Sequence, residues 1–101
     1  MKFVSTIVLA LALGISGSAF ADAAKGQSTY AARGCIGCHG AAGKSVVPTY
    51  PSLAGRDAAF VKKNLTDFRS GARKEPTMNA MAAGLSDADI GDLADYIDSL
   101  K

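Results

Sequence analysis

Two cysteines three residues apart, followed at once by the sole histidine, constrain this chain more than any other feature. They stand in the segment Cys35-Ile36-Gly37-Cys38-His39. The Cys-x-x-Cys-His pattern is typical of a covalent c-type haem site, where the two thiols form thioether bonds to the ring. The histidine that follows the second thiol is placed to ligate the iron. The sequence therefore predicts one covalent haem c, attached through Cys35 and Cys38, with His39 as an axial iron ligand.

Three other interpretations of the motif are possible from the sequence. A structural zinc site uses four ligands, whereas this chain offers two cysteines and one histidine. A thioredoxin-like dithiol belongs in a βαβ setting, but the residues flanking the motif are rich in alanine and glycine. A plain disulfide would leave His39 without a role. Haem explains all three side chains together.

The N-terminus has the features of a secretory signal peptide. Lys2 precedes an apolar run over residues 3–15, and Ala19-Phe20-Ala21 fits the small-x-small cleavage rule. The alternative is an uncleaved membrane anchor, which needs about 20 apolar residues, more than this run provides. We expect residues 1–21 to be removed, the protein to be periplasmic without stable membrane insertion, and residues 22–101 to form one domain.

A domain of this size needs reinforcement, and its charges are unevenly distributed. An ordinary core in so short a chain rarely supplies more than about 3 to 5 kcal/mol, which a covalent haem would supplement. Residues 56–74 carry six basic and two acidic side chains, whereas residues 75–101 carry six acidic and one basic. This pattern lacks the basic excess of nucleic-acid-binding proteins. It is either a dipole that orients a redox partner or a pair of ordinary solvated faces.

The periodicity of apolar residues predicts an all-α fold. We expect helices over residues 23–33, over residues 58–70 after an N-cap at Asp57, and over a last segment that begins after Ser86. A glycine inside a helix costs roughly 1 kcal/mol relative to alanine. Gly26 is therefore expected to admit a close neighbour, for which Tyr96 of the last helix is a candidate.

Three residues outside the motif are candidates for contacts around the haem. The second ring nitrogen of a ligating histidine almost always has a hydrogen-bond partner, and the carbonyl of Pro51 is our candidate, with a simple extended connector as the alternative. Leu53 is expected to pack on the ring. Asn64 interrupts an apolar helix face and needs a polar partner if buried. We expect a loop backbone group or a haem propionate, unless Asn64 lies exposed at the edge of that face.

The sixth iron ligand is expected from the segment after the second helix. Because Pro76 biases Glu75 towards an extended conformation, we predict a strap here and not a continuous helix. Methionine paired with histidine is a combination of electron-transfer haems. Met78 and Met81 are nearly equal candidates by position, and Met78 is favoured because it lies closer to the strap. If neither binds, the iron has an open face.

Several longer stretches of the sequence resemble a known family. These stretches are Gly26 with Tyr30, Cys35 to Gly40, Tyr50 to Gly55, Phe68 to Arg73, and Met78 through Leu85-Ser86-Asp87 to Ile97. Residues 22–101 resemble the small bacterial class I cytochromes c, which occur as single-haem proteins and as tandem di-haem cytochromes. The resemblance implies three to four helices wrapped around one haem. It also implies Met78 as the axial ligand, with Met81 as packing, and the Pro51 carbonyl on His39. Arg56 and Asn64 depart from it, since relatives often carry glutamine there.

The expected function is one-electron transfer in the periplasm. His39 and Met78 would occupy both axial positions, no catalytic acid, base or nucleophile is evident, and an enzyme is therefore not expected. The partners would be redox proteins, one donating and one accepting the electron. The alternative is an open-iron haem protein, peroxidase-like or gas-binding.

Overall fold

The computed structural model describes residues 23–101, which are helical and contain no strand. The helices are α1 (residues 23–32), α2 (Cys35–His39), α3 (Ala58–Ser70), α4 (Pro76–Ala83) and α5 (Asp87–Asp98), with one 3-10 turn at Ala41–Gly43. The predicted all-α fold class is confirmed. The predicted signal peptide, residues 1–21, lies outside the described residues.

Helices α1 and α5 cross at a point where only glycine fits. A Cβ atom on Gly26 would lie 2.0 Å from the carbonyl oxygen of Asp92 and 2.7 Å from Cβ of Tyr96. One turn further along α1, the ring of Tyr30 packs on that of Tyr96 with centroids 5.5 Å apart. The expected contact between Gly26 and Tyr96 is confirmed, and it brings the residues before the haem motif against the last helix.

The ends of α3 and α5 follow the predicted signals, with one difference. Helix α3 stops at Gly71, whose φ of 85° is left-handed, and Ser86 begins α5 with a capping box to Asp89. Asp57 occupies the N-cap position of α3, but its carboxylate makes no capping hydrogen bond. It accepts from Lys101 instead, which ties the C-terminal residue to the start of α3.

The predicted strap before Met78 is wrong, because residues 76–83 form helix α4. Glu75 is extended as expected, with φ −158° and ψ 108°, but the extension lasts for that single residue. Pro76 occupies the first helical position, where its missing N–H has no intrahelical partner to lose. The Glu75 carboxylate then accepts a hydrogen bond of 2.8 Å from the backbone N–H of Met78. The proline therefore marks where a helix begins.

Helix α5 is the centre of the packing. It contacts α1 at the Gly26 crossing and lies against α3, which in turn packs on α4. Its inner face contributes half of the buried apolar side chains among the described residues: Ile90, Leu93, Ala94, Tyr96 and Ile97. Among the described helices, none has both the length and the apolar character that crossing a membrane requires.

The Gly26 crossing predicts that Gly26→Ala destabilises the protein. The added methyl must push α1 away from the α5 backbone, which we expect to cost about 1 to 3 kcal/mol, as overpacking does. Gly91→Ala in α5 is the matched control, because no atom lies within 4 Å of the added methyl; it should be stabilising by roughly 1 kcal/mol. Urea denaturation of the haem-loaded proteins measures both. Equal effects of the two substitutions would contradict the crossing.

Candidate functional site

The predicted site residues converge on a single cavity of about 360 Å³, enclosed by all five helices and the segment after the 3-10 turn. Its lining includes every residue that the sequence singled out for the haem: Cys35, Cys38, His39, Pro51, Leu53, Asn64, Met78 and Met81. Apolar side chains from α3 and α5, among them Val61 and Leu93, form much of the remaining wall. The cavity therefore combines apolar walls with one imidazole, two thioethers and two thiols.

The two thiols are presented by the short helix α2. Cys35 and Cys38 lie three residues apart in that helix, a spacing that places side chains on the same face. Both thiols are free and half-buried. Burial raises the pKa of the Cys35 thiol above its ordinary value, so this group is neutral at pH 7. Two thiols on one face of α2 suit attachment to one edge of an apolar ring.

Among the described residues, His39 is the polar side chain that is buried, with 8% of its surface exposed. Its Nδ1 atom lies 2.8 Å from the carbonyl oxygen of Pro51. Because a carbonyl only accepts hydrogen bonds, Nδ1 carries the proton and Nε2 keeps its lone pair. The structure thus brings together the two residues that the sequence paired, and it leaves one imidazole nitrogen available to ligate iron.

The position of Pro51 is set by a backbone contact across the loop. The carbonyl oxygen of Gly43 accepts hydrogen bonds from the N–H groups of Leu53 and Ala54, at 2.7 and 3.1 Å. Gly43 has a φ of 71°, and a Cβ atom there would lie 2.9 Å from the nitrogen of Ala54. This close approach holds the segment so that the Pro51 carbonyl faces His39 and the Leu53 side chain reaches the cavity.

Tyr30 has a polar role that the sequence reasoning missed. Its hydroxyl donates a hydrogen bond of 2.6 Å to the carbonyl of Gly40, the residue after His39. The ring is buried, and burial raises the pKa of Tyr30 to about 12. A buried tyrosine close to the motif was the available signal, because buried hydroxyls usually find a partner. Tyr30 therefore ties α1 to the end of the helix that carries His39.

Asn64 makes two hydrogen bonds that the sequence did not predict, while the expected contact with a propionate stays a prediction. Its Nδ2 donates a hydrogen bond of 2.8 Å to the carbonyl of Phe60 in its own helix, and its Oδ1 accepts one from the guanidinium of Arg73. The sequence predicted a loop backbone group or a propionate. A short polar side chain in a helix readily reaches the carbonyl four residues back. The hydrogen bond from Arg73 is a tertiary contact, which the residues around Asn64 in the sequence do not indicate. Asn64 still lines the cavity.

The two methionines share a face of α4 but differ in burial. Their spacing of three residues places both on the cavity side. Met78 is half-buried and packs against the hydrophobic core. Met81 is 38% exposed, and its methyl group lies near Gly34, just before the haem motif. Met78 is therefore the more firmly held of the two thioethers.

The cavity fits a haem in size and in chemistry. Its walls are mainly apolar, and covering apolar surface that would otherwise face water is favourable. A flat apolar ring would cover these walls, the thiols of Cys35 and Cys38 would supply its covalent bonds, and His39 Nε2 and a methionine are the candidate nitrogen and sulfur donors. The fold and site define a c-type haem protein.

Comparison with known proteins agrees with this class. The cytochrome c family model matches residues 23–101. Cytochrome c4 of Pseudomonas aeruginosa is 40% identical over 97 residues, which are 94% of this chain and 47% of that protein. Cytochrome c-554(548) of Halomonas halodenitrificans is 40% identical over 81 residues, 77% of this chain and 95% of that protein. The crystal structure of reduced cytochrome c4 from Pseudomonas stutzeri superposes with a TM-score of 0.72 and 36% identity, covering 80% of this chain and 49% of that one.

This chain belongs to the cytochrome c family. The resemblance to class I cytochromes c related to cytochrome c4 is confirmed, as is the cofactor, haem c with its iron. Cys35, Cys38 and His39 fit the attachment motif of that family, which favours haem over the zinc, dithiol and disulfide alternatives. The chain spans about half the length of the cytochrome c4 relatives that it matches.

The Tyr30 hydroxyl predicts a pH dependence of stability. Its pKa is about 12 in the folded protein against 10 for an ordinary tyrosine, so the folded state favours the protonated form. The contribution of the protonated Tyr30 hydroxyl to the free energy of unfolding is fully present below pH 10 and declines as the pH rises from about 10 to about 12. Tyr30→Phe should cost about 1 kcal/mol at pH 7, and this difference should narrow over that window in urea denaturation. A difference that stays constant from pH 8 to pH 12 would contradict this role.

Proposed function

We propose that this protein is a periplasmic one-electron carrier whose single haem c is ligated by His39 and Met78. When bound, haem iron takes up and releases one electron. The observation that supports the proposal most strongly is the convergence of His39, Met78 and both thiols on one apolar cavity. Residues 1–21 are proposed to direct export and to be cleaved. We propose that the remaining chain does not insert stably into a membrane.

The choice of Met78 over Met81 rests on how each is held. The Met78 backbone N–H is fixed by the Glu75 carboxylate, and its side chain is half-buried against the core. Met81 is one of the exposed large apolar side chains. A methionine loses less conformational freedom on binding iron when its backbone is already held and its side chain is already shielded. Met78 is accordingly the proposed ligand, and Met81 the residue that covers the ring beside Gly34.

Filling both axial positions distinguishes a carrier from an enzyme. If His39 and Met78 both ligate the iron, no iron position would be left for a substrate. An open-iron haem protein, peroxidase-like or gas-binding, is the alternative, and it requires that neither methionine bind. The protected Met78 favours the carrier.

The proposed partners are redox proteins that meet the surface beside the motif. Ile36 is 44% exposed on α2, and Val46 and Val47 in the following loop are 91% and 40% exposed. These three exposed apolar side chains belong to the haem motif and to the loop that follows it, and the exposed Lys44 lies in the same loop. A relative from Stutzerimonas stutzeri, 41% identical over 88 residues, is named thiosulfate dehydrogenase electron acceptor. We propose that this chain likewise exchanges electrons with protein donors and acceptors.

Two arginines are proposed to neutralise the carboxylates of the haem propionates. Arg56 and Arg73 line the cavity, and their guanidinium groups lie over Phe60 and Phe68 at 4.7 and 4.8 Å from the ring centroids. Arg33 and Arg69 pair with aspartates, whereas Arg56 and Arg73 have no carboxylate partner among the described residues. Guanidinium groups without a carboxylate partner on a cavity wall are suited to receive an anionic ligand.

Substituting the two methionines tests the proposed ligand. Met78→Ala should abolish the far-red charge-transfer band of the ferric protein, which arises from methionine sulfur bound to iron, and should lower the reduction potential because the thioether favours ferrous iron. Met81→Ala is the matched control on the same face of α4, and it should keep the band. Persistence of the band in Met78→Ala with its loss in Met81→Ala would move the ligand to Met81. Absence of the band in the unsubstituted protein would favour the open-iron alternative.

Removing a cation from the cavity wall should lower the reduction potential. Arg56→Gln deletes a positive charge that disfavours the more positive ferric state, so we expect a decrease of roughly 30 mV, about threefold in the one-electron equilibrium. Lys62→Gln removes the same charge from an exposed position of α3 that does not line the cavity. Redox titration compares the two variants. Equal shifts would mean that Arg56 acts only through net charge.

A further inference from the structure

The side-chain amide of Asn79 uses both of its N–H donors and its oxygen to join α3, the connecting loop and α4. Its Nδ2 donates to the carbonyls of Phe68, at 2.8 Å, and Arg73, at 2.9 Å. Its Oδ1 accepts from the N–H of Glu75 at 2.9 Å. The orientation of the amide is dictated by these partners, since two carbonyls require the NH2 group and one N–H requires the oxygen.

Each partner of Asn79 lies at a place where the chain lacks internal hydrogen bonds. Phe68 is in the last turn of α3, whose carbonyls have no intrahelical partner. Glu75 is the residue before the first turn of α4, whose N–H groups are likewise unpaired. Arg73 lies between the two helices. One side chain therefore holds the end of one helix against the beginning of the next.

The same contacts reach the proposed iron ligand through one further hydrogen bond. Asn79 holds the backbone of Glu75, and the carboxylate of Glu75 holds the backbone N–H of Met78 at 2.8 Å. We refer to Asn79 and Glu75, with these hydrogen bonds, as the latch. No residue of the haem motif takes part in the latch.

We propose that Asn79 is a positioning residue whose hydrogen bonds hold Met78 at the haem iron and thereby exclude external ligands from it. This inference rests on the proposed ligation by Met78 and adds the device that keeps the sixth position closed. A neutral thioether competes with added nitrogen ligands, which bind only when α4 has moved aside. The apparent affinity of such a ligand is its intrinsic affinity multiplied by the fraction of molecules in the open form. Weakening the latch increases that fraction.

Titration of the ferric holoprotein with imidazole measures the open fraction, because imidazole replaces the thioether and removes the far-red band. Asn79→Ala should bind imidazole about tenfold more tightly than the unsubstituted protein. Glu75→Ala should also bind more tightly, whereas Glu75→Gln, which keeps an acceptor oxygen for the Met78 N–H, should behave as the unsubstituted protein does. Ser70→Ala is the matched control, since Ser70 bonds within the same connection but not to α4. An affinity for Asn79→Ala within twofold of the unsubstituted protein overturns the latch.

Hydrogen exchange separates the latch from a general loss of stability. In Asn79→Ala the amides of Glu75 and Met78 should exchange at least tenfold faster, while those of Leu93 and Ile97 in α5 should not change. Equal acceleration of all four amides would mean that Asn79 only stabilises the fold, and it would overturn the proposal. Absence of the far-red band in the unsubstituted protein would overturn both the Met78 ligand and the latch. A normal band with unaltered imidazole affinity would overturn the latch alone.

Discussion

The apolar cavity is the constraint on which the rest of the structure depends. Helix α5 meets α1 and α3 directly, but α2 and the segment around Pro51 reach the core largely across the space that the ring must occupy. Without an occupant the apolar walls of this cavity would face water, which is unfavourable. Covalent attachment through Cys35 and Cys38 prevents dissociation of the group that fills it. The buried imidazole of His39 then needs a partner for each nitrogen, and Pro51 satisfies one of them.

Features that depend on neighbouring residues or on backbone sterics could be predicted from the sequence. The Ser86 cap follows from residues adjacent in the chain, and it starts α5 where expected. Gly26 could be recognised because a glycine inside a helix has a cost that a close neighbour must offset, and the crossing with Tyr96 shows that neighbour. The haem motif belongs to the same class, since its function is encoded in five consecutive residues.

Features that depend on the return of distant segments could not be predicted. The start of α4 is an exception, because Glu75 and Met78 are only three residues apart; a proline after an extended residue can mark either a strap or a helix start, and the Glu75 cap makes it a helix. The partners of Asn64 and Asn79 include Arg73 and main-chain carbonyls of α3. Side-chain bonds to backbone groups leave no pattern in the sequence, because every residue has a carbonyl. The same holds for the Tyr30 hydroxyl on Gly40.

The central claim is that one haem is bonded to the sulfurs of Cys35 and Cys38. Intact-mass spectrometry of the protein, matured in a host with haem-attachment machinery, denatured and treated with a thiol-alkylating reagent, tests it most directly. The account predicts the polypeptide plus one haem, with neither thiol alkylated. A bare polypeptide carrying two alkylated cysteines would contradict it.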